Sequence, residues 1–410
     1  MRLYLILAST RLLAACGGGS GGSVPLNSTP APAAAPAATA THTFVKPTEA
    51  KTYVGIGGEQ VYKYSTDTRN CCGQQQQVYA GNTTTVRNSG ISIAYDPSSA
   101  VFTLTVSDGS TGASTNTRFQ DPAARTNFGG AQEPQWGTPR LTNTNVQYLQ
   151  AGDGNPISPY RISGSGLVNP GNNTNPPTGA TGSSYLSTSL FFLKPGTETQ
   201  YVTYAGYARN SLAFGTLTVS GTSYDKTDYT LERGAFAYGE LTNTANVPKS
   251  GSATYRGSML GTMIFNPTLD GADPATNQIF PSFFQWIEGT SRLDVDFLAS
   301  TFQIALAGNV LAPQFDMTSF PQQAILAAGA TFSAGGKGTI NISSFGGFKG
   351  QFQTASFTNP DGSKRDVTIA GSAVDGAFYG PAGNEVGGSF RIVGGKPDER
   401  IDILGAFVGK

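Results

Sequence analysis

The segment that decides the fold class is Leu293-Asp294-Val295-Asp296-Phe297, in which apolar and acidic residues alternate strictly. Successive side chains of a β-strand point to opposite faces of the sheet, so Leu293, Val295 and Phe297 share one face and both aspartates share the other. Segments of similar character recur at residues 301–306, 338–342, 349–357, 367–369, 389–392 and 401–407. This spacing predicts a closed antiparallel barrel or a β-sandwich in the C-terminal part.

The N-terminal half carries the same strand signal more sparsely, at residues 59–64, 90–95, 100–106, 189–193 and 200–207. Between about residues 107 and 184 the apolar periodicity thins and Gly, Asn, Thr and Pro dominate, which predicts long loops on a β scaffold. The one modest helical candidate is centred on residues 322–327, within 313–328. Asn359-Pro360-Asp361-Gly362 predicts a tight turn. We therefore expect an all-β protein.

The composition excludes several classes of function. Lys plus Arg and Asp plus Glu number 26 each, so no whole-chain charge favours nucleic acid. The single histidine, His42, lies in a Pro/Ala/Thr-rich stretch, which rules out a buried histidine relay and a site with several histidine ligands. No pair of carboxylates is placed as a glycosidase would need, since Asp294 and Asp296 share one strand face that we expect to look toward solvent. We predict no enzymatic activity, no metal site and no cofactor.

The N-terminus is typical of a bacterial lipoprotein. A positive start at Met1-Arg2 and an apolar run lead to Leu13-Ala14-Ala15-Cys16, which matches a lipobox, although Arg11 interrupts the apolar region. This predicts a signal peptide over residues 1–15 and acylation, including palmitate, on Cys16. The alternative is an ordinary secretory leader in which Cys16 is incidental.

The segment after Cys16 favours the lipoprotein interpretation. Residues 17–22 are Gly and Ser only, and Pro and Ala dominate to about Thr43, so residues 16–44 form a flexible and then extended tether. Gly17 replaces the Asp that would signal retention at the inner membrane, which points to the outer membrane. No later segment has the ~18 consecutive apolar residues of a transmembrane helix.

Two stretches resemble a known family. The first is Arg233-Gly234-Ala235-Phe236-Ala237-Tyr238-Gly239 together with Pro248-Lys249-Ser250-Gly251-Ser252-Ala253-Thr254-Tyr255-Arg256-Gly257. The second is Gly376-Ala377-Phe378-Tyr379-Gly380-Pro381-Ala382-Gly383-Asn384-Glu385-Val386-Gly387-Gly388-Ser389-Phe390. Both resemble the barrel of the transferrin-binding protein B-like surface lipoproteins, and residues 201–207 look like the end of that family's handle domain.

The resemblance implies a β-rich handle domain with long loops over residues 45–240, followed by an eight-stranded antiparallel barrel over residues 241–410. It also implies an outer-membrane lipoprotein facing outward, often beside a TonB-dependent receptor. The motif glycines, Gly376, Gly380, Gly387 and Gly388, are expected to permit a tight bend where Pro381 and Glu385 meet a neighbouring strand. We interpret these residues as marks of the fold, with Glu385 as a buried pairing partner. Because the chain holds one handle-plus-barrel unit and transferrin binders have two, the resemblance does not fix the ligand.

The densest aromatic cluster, at residues 279–287, is the best candidate for binding. It contains Phe280, Phe283, Phe284 and Trp286, and aromatic residues dominate binding hot spots. Two interpretations stay open: a loop that presents anchors to a partner, or a barrel strand whose inner face is filled by Phe and Trp. Four aromatics exceed what one inward face needs, so some are expected to be exposed.

Two further features of the handle region are candidates for binding. Adjacent Cys71 and Cys72 either form a vicinal disulfide that stiffens a binding loop or are thiols in a surface loop. Trp136, Tyr148 and Tyr160 either stack on a ligand or make small core contacts.

These observations favour a surface-displayed binding protein, a co-receptor that captures a protein or an iron- or haem-type nutrient for a TonB-dependent transporter. The alternative is a structural or adhesive envelope lipoprotein without a transport role. An integral outer-membrane barrel ranks third, since it needs an apolar outer face and usually a terminal aromatic residue, whereas this chain ends at Lys410.

Overall fold

The computed structural model describes residues 46–69, 75–80, 87–107, 114–120, 139, 141–151, 161–162, 166–167, 184–196, 198–266, 282–311, 326–394 and 400–410. Nearly all of the regular structure in these residues is β-strand, in two sheets. The first, here called the handle, contains β1 (Lys51–Asp67), β2 (Gln75–Ala80), β3 (Arg87–Asp96), β4 (Val101–Ser107), β5 (Ser114–Gln120), β6 (Val146–Ala151), β7 (Arg161–Ile162), β8 (Gly166–Leu167), β9 (Ser184–Leu193), β10 (Val202–Val219) and β11 (Thr222–Gly239).

The second sheet, here called the barrel, contains β12 (Ser252–Asn266), β13 (Phe283–Asp296), β14 (Thr301–Val310), β15 (Thr331–Asn341), β16 (Gly347–Thr358), β17 (Lys364–Asp366), β18 (Ile369–Tyr379), β19 (Glu385–Gly394) and β20 (Arg400–Gly409). A 3₁₀ turn (Thr244–Asn246) and one short helix, α1 (Ile342–Phe345), are the helical elements of the described residues. No helix among those residues is long and apolar enough to cross a membrane.

The predicted all-β fold is confirmed. The strictly alternating residues 293–296 lie at the end of β13, where Leu293 and Val295 are buried and Asp294 and Asp296 face outward. The predicted turn also forms, because the Gly362 N–H donates to the Asn359 carbonyl at 2.9 Å and Gly362 has a φ of +85°. The helical candidate lies largely outside the described residues, as do Asp108-Gly109 and Asp153-Gly154, two dipeptides typical of turns.

The barrel closes completely. Its strands pair antiparallel in the order β15-β14-β13-β12-β20-β19-β18-β16, and β15 pairs with β16 to complete a ring of eight, with β17 added beside β16. Inward side chains fill the ring with a continuous apolar core that includes Met263, Phe302, Phe348, Phe390 and Phe407. The interior that the described strands surround is therefore a packed core.

The handle also closes on itself. Its pairings run β10-β11-β1-β3-β4-β5-β6-β9, and β9 returns to β10. The weakest joint is between β5 and β6, which share two residue pairs. The interior holds a separate apolar core built around Ile93, Phe102, Leu190, Tyr207 and Phe236.

Candidate functional site

The outer faces of handle and barrel pack directly on each other. Side chains of the handle strands β9, β10 and β11 and of the barrel strands β12, β13, β18 and β20 form one apolar cluster between the two sheets. It includes Phe191, Val202 and Tyr204 from the handle and Leu260, Trp286, Tyr379 and Val408 from the barrel. Strands at this contact are therefore buried on both faces, by the core of their own sheet on one side and by the other sheet on the opposite side.

Glu385 ties the barrel to the start of β10. Its carboxylate accepts backbone N–H bonds from Gln200 at 2.6 Å, Tyr201 at 2.7 Å and Val202 at 3.1 Å. The residue is 3% exposed, and burial raises the pKa of the carboxyl although the three N–H bonds oppose that rise. The predicted role of Glu385 as a buried pairing partner agrees with this geometry.

Asp402 forms a second polar joint at the other end of the contact. It takes a bidentate ion pair from Arg391, at 3.1 Å to Nε and 2.8 Å to Nη2, and bonds from Gln60 and the Tyr79 hydroxyl. Burial, and next the Asp402 charge, raise the pKa of Tyr79, so the phenol stays a donor. Because Gln60 and Tyr79 belong to the handle, this network fixes the handle on β20.

The segment Phe378-Tyr379-Gly380-Pro381 lies at the connection between handle and barrel. Phe378 packs inside the barrel, whereas Tyr379 points outward into the handle contact. Gly380, at a φ of +84°, donates its N–H to the Glu240 carbonyl at 2.9 Å, and Thr242 Oγ1 donates to the Gly380 carbonyl at 2.7 Å. The segment therefore holds the connection between handle and barrel.

The expectation that four motif glycines permit a bend is right for Gly380 alone. Gly376, Gly387 and Gly388 lie within β18 and β19. A Cβ there would lie 2.2 Å from Phe348, 2.5 Å from Val202 and 2.3 Å from a backbone oxygen, respectively. These three glycines admit neighbouring side chains and strands instead. Residues 233–239, part of the first stretch that resembles the family's barrel, lie in β11 of the handle.

The aromatic candidates are found inside the molecule. Phe283, Phe284 and Trp286 are 3%, 2% and 1% exposed and lie in β13, so the loop interpretation does not hold for them. Phe284 packs on handle tyrosines such as Tyr62, and the Trp286 ring lies 5.4 Å from that of Phe191. The strand interpretation is right, but these two side chains fill the outer face toward the handle, which is why the cluster exceeds the needs of one inward face.

Arg233 completes this aromatic contact. It is 1% exposed, donates to Asn210 Oδ1 at 2.6 Å, and its guanidinium lies 5.2 Å from the Phe284 ring and 5.7 Å from the Trp286 ring. A cation placed over two aromatic faces is stabilised when water is excluded. A binding role for Phe284 and Trp286 stays a prediction; in the structure they join the two sheets.

Tyr148 makes core contacts. Its hydroxyl donates to the Pro139 carbonyl at 2.8 Å, and its ring lies 5.5 Å from that of Phe191. Burial raises the pKa of its hydroxyl. The remaining predicted site residues, Cys16, Cys71, Cys72, Trp136, Tyr160 and Phe280, lie outside the described residues, as does His42.

Sequence reasoning did not single out Glu288, Asp402, Gln60 and Arg233. For Asp402 a signal was available, because it lies in the run Ile401-Asp402-Ile403-Leu404, which is apolar on both faces and so indicates that the outward position is covered. Glu288 accepts the Thr142 N–H through both carboxylate oxygens, at 3.0 and 2.8 Å. All four residues build the contact between handle and barrel.

Comparison with known proteins finds a family match for the barrel. Residues 247–410 match the family model described as the C-lobe and N-lobe beta barrels of Tf-binding protein B. No curated protein matches the chain.

Two solved transferrin-binding protein B structures align with most of the chain. A mutant from Haemophilus parasuis Hp5 is 14% identical over 89% of this chain and 77% of its own, with a TM-score of 0.25. The isotype 1 protein from serogroup B Neisseria meningitidis is 12% identical over 89% and 77%, with a TM-score of 0.23. Over residues 247–410, the C-terminal barrel of this chain is similar to the transferrin-binding protein B β-barrels.

Proposed function

We propose that this chain is an outer-membrane surface lipoprotein, anchored through Cys16, that captures a protein or an iron- or haem-type nutrient for a TonB-dependent transporter and catalyses no reaction. The observation that carries the proposal is the family barrel over residues 247–410, since the proteins for which that family is described bind transferrin. The described residues form one handle and one barrel, whereas the family description names barrels of two lobes. Transferrin is therefore a ligand to be tested.

The place where the chain enters β1 bears on which end of the barrel faces outward. Lys51, the first residue of β1, donates to the Glu240 carboxylate, and the Glu240 carbonyl accepts the Gly380 N–H. The tether is thus expected to reach the molecule at the barrel end that carries the turn after β18. At this same end β13 and β14 are joined by residues 297–300 alone.

The opposite end of the barrel carries the longer connections. The strands there are joined through residues 267–282, 311–330, 359–368 and 395–399, and Phe280 belongs to the first of these. Loops that vary on a rigid scaffold are where binding functions concentrate. We place the ligand-binding surface at this end, the one away from the tether.

The polarity of the barrel also supports a domain in water. On β14 the inward residues Phe302, Ile304 and Leu306 are buried, and the outward residues at positions 301, 303, 305, 307 and 309 are exposed Thr, Gln, Ala and Asn. A barrel embedded in lipid has the inverse pattern, apolar outside and polar inside.

The experiment compares ligand capture by cells that display the wild type, Phe280→Ala, or a variant in which a short Gly/Ser linker replaces residues 268–279. The probes are iron-loaded transferrin, haemoglobin and haem, and the matched control is Leu298→Ala at the tether end, where Leu298 is 79% exposed. We expect the linker variant to lose at least tenfold in affinity for the probe that binds, and Leu298→Ala to lose nothing. Equal losses of affinity in the linker variant and in Leu298→Ala would contradict the proposal that the end with the longer connections binds the ligand.

A further inference from the structure

The barrel wall formed by β14, β15 and β16 has an unusual charge pattern. The strands β14, β15 and β16, all within the described residues, contain no acidic residue, and their only charged side chains are Lys337 and Lys349. The outward residues around them are short and uncharged, mainly Thr, Ser, Gln and Asn. In the ring of eight strands this wall lies across from β19, β20 and β12. The wall is therefore open, polar and weakly basic.

A trough of about 700 Å³ crosses this wall between β15, β16 and β18. Its lining includes both lysines with Thr339, Gln351, Gln353, Ser372 and Asp375. Asp375 is the one carboxylate among the lining residues and lies opposite Lys349 in the strand register. Most of the polar groups in the trough are hydrogen-bond donors or can act as donors.

The trough exists because strand pairing is interrupted there. The ladder between β16 and β18 ends at Gly350 and Val374, and β16 next pairs with β17 at Ser356. The β15–β16 register shifts at Gly335/Gly336, and the β18–β19 register shifts at Ile369/Gly371. Irregularities of this kind concentrate at barrel rims and beside functional sites.

The Ser372 side chain bridges β18 and β16 where their backbone pairing is interrupted. Its hydroxyl accepts the Phe352 N–H at 2.9 Å and lies 3.3 Å from the Phe352 carbonyl, to which it donates. Backbone groups in a closed barrel normally pair with a neighbouring strand, and here a serine replaces that partner. The two strands consequently remain separated without leaving Phe352 unsatisfied.

We propose that this trough is a binding site for an acidic saccharide, a hydroxyl-rich ring that carries a carboxylate or a sulfate. The ammonium groups of Lys337 and Lys349 supply charge for the anionic group, while the carboxamides of Gln351 and Gln353 and the hydroxyl of Thr339 suit sugar hydroxyls. The Asp375 carboxylate accepts a hydrogen bond from a sugar hydroxyl. Its negative charge lowers the affinity for ligands that offer only anionic groups. The site goes beyond the capture function proposed above, because it lies on the barrel wall and not at the long connections.

Titration of the full-length protein in detergent tests the proposal. The probes are an oligogalacturonate, which is carboxylated, a heparin hexasaccharide, which is sulfated, and maltohexaose, which is uncharged. We expect at least one acidic probe to bind with an affinity that falls as salt rises, and maltohexaose to bind at least tenfold more weakly. Which acidic probe binds more tightly distinguishes the two sources of negative charge. Failure of both acidic probes to bind at millimolar concentration would overturn the proposal.

Variants locate the site. The double substitution Lys337→Gln/Lys349→Gln is expected to weaken the acidic probe by at least tenfold, and Lys63→Gln, which removes an exposed lysine of the handle, should leave it unchanged. Asp375→Asn should strengthen the acidic probe severalfold, a gain that damage to the fold could not produce. Binding that is equal in the double variant and in the wild type, or that is weakened by Asp375→Asn, would contradict the assignment. Far-ultraviolet circular dichroism checks that every variant is folded.

Discussion

At the scale of single residues, Glu385 shows how an ionisable group can serve packing. A buried carboxylate is costly unless hydrogen bonds satisfy it, and three backbone N–H groups at the start of β10 do so. Gln200 and Tyr201 precede β10, and Val202 is its first residue, opposite Gly239. Glutamate therefore satisfies donors that a strand start leaves open.

Replacing Glu385 by Ala is expected to lower the free energy of unfolding by about 3 kcal/mol. The substitution leaves three backbone donors without their acceptor, and each buried donor left unsatisfied costs about 1–3 kcal/mol before water enters. Urea unfolding followed by tryptophan fluorescence measures the change. Glu49→Gln, at an exposed position before β1, is the matched control and should change stability little. A Glu385→Ala protein as stable as the control would contradict the role given to this residue.

The raised pKa of Glu385 predicts a pH dependence with a definite sign. Since its pKa in the folded protein lies above the ordinary value of 4.5, the stability linked to its proton is fully present below pH 4.5 and is lost as pH rises through the folded pKa. The wild type should therefore lose stability relative to Glu385→Gln as pH increases from 4.5 to neutrality. Unfolding free energies of both proteins across this range measure the difference. A difference that grows in the wild type's favour would show that the three N–H bonds outweigh burial.

At the scale of elements, the strands at the contact explain which predictions succeeded. β14 is covered on one face, and its alternation could be read directly from the sequence. β20 is covered on both faces, and the carboxylate of Asp402, which lies among apolar neighbours, is 1% exposed. The strand itself was predicted correctly. Its second buried face could not be, because long-range packing on the handle decides it.

Gly206 tests the contact between the sheets. A Cβ at this position in β10 would lie 2.2 Å from Phe191 Cζ and 2.7 Å from Leu260 Cδ2, an atom of the barrel. Gly206→Ala is therefore expected to lower the unfolding free energy by about 1–3 kcal/mol through overpacking. Gly215→Ala is a control in the same strand, where an added Cβ meets nothing within 4 Å, and it should be neutral or slightly stabilising. Thermal unfolding of the two variants checks the prediction, and equal melting temperatures would contradict the packing described.

At the scale of the whole molecule, charged and aromatic side chains join handle and barrel. The two ends of the barrel differ from each other. The tether is expected to enter near Lys51, beside Glu240, and the longer connections lie at the other end. The motif near Phe378-Tyr379-Gly380-Pro381 allowed the barrel to be predicted from the sequence. The charged joints at Glu385 and Asp402 could not be located in advance, since the handle residues that bond to them lie more than a hundred residues away in the sequence.

We propose that the lipid anchor on Cys16 holds a binding domain on the outside of the cell. Proteinase added to intact cells tests it most directly, with wild type compared to Cys16→Ala and with a periplasmic protein as the control for membrane integrity. We expect the wild type to be digested on intact cells and the variant to be missing from the membrane fraction. A wild type that is protected until the outer membrane is broken would contradict the claim, because a domain facing the periplasm cannot capture an external ligand.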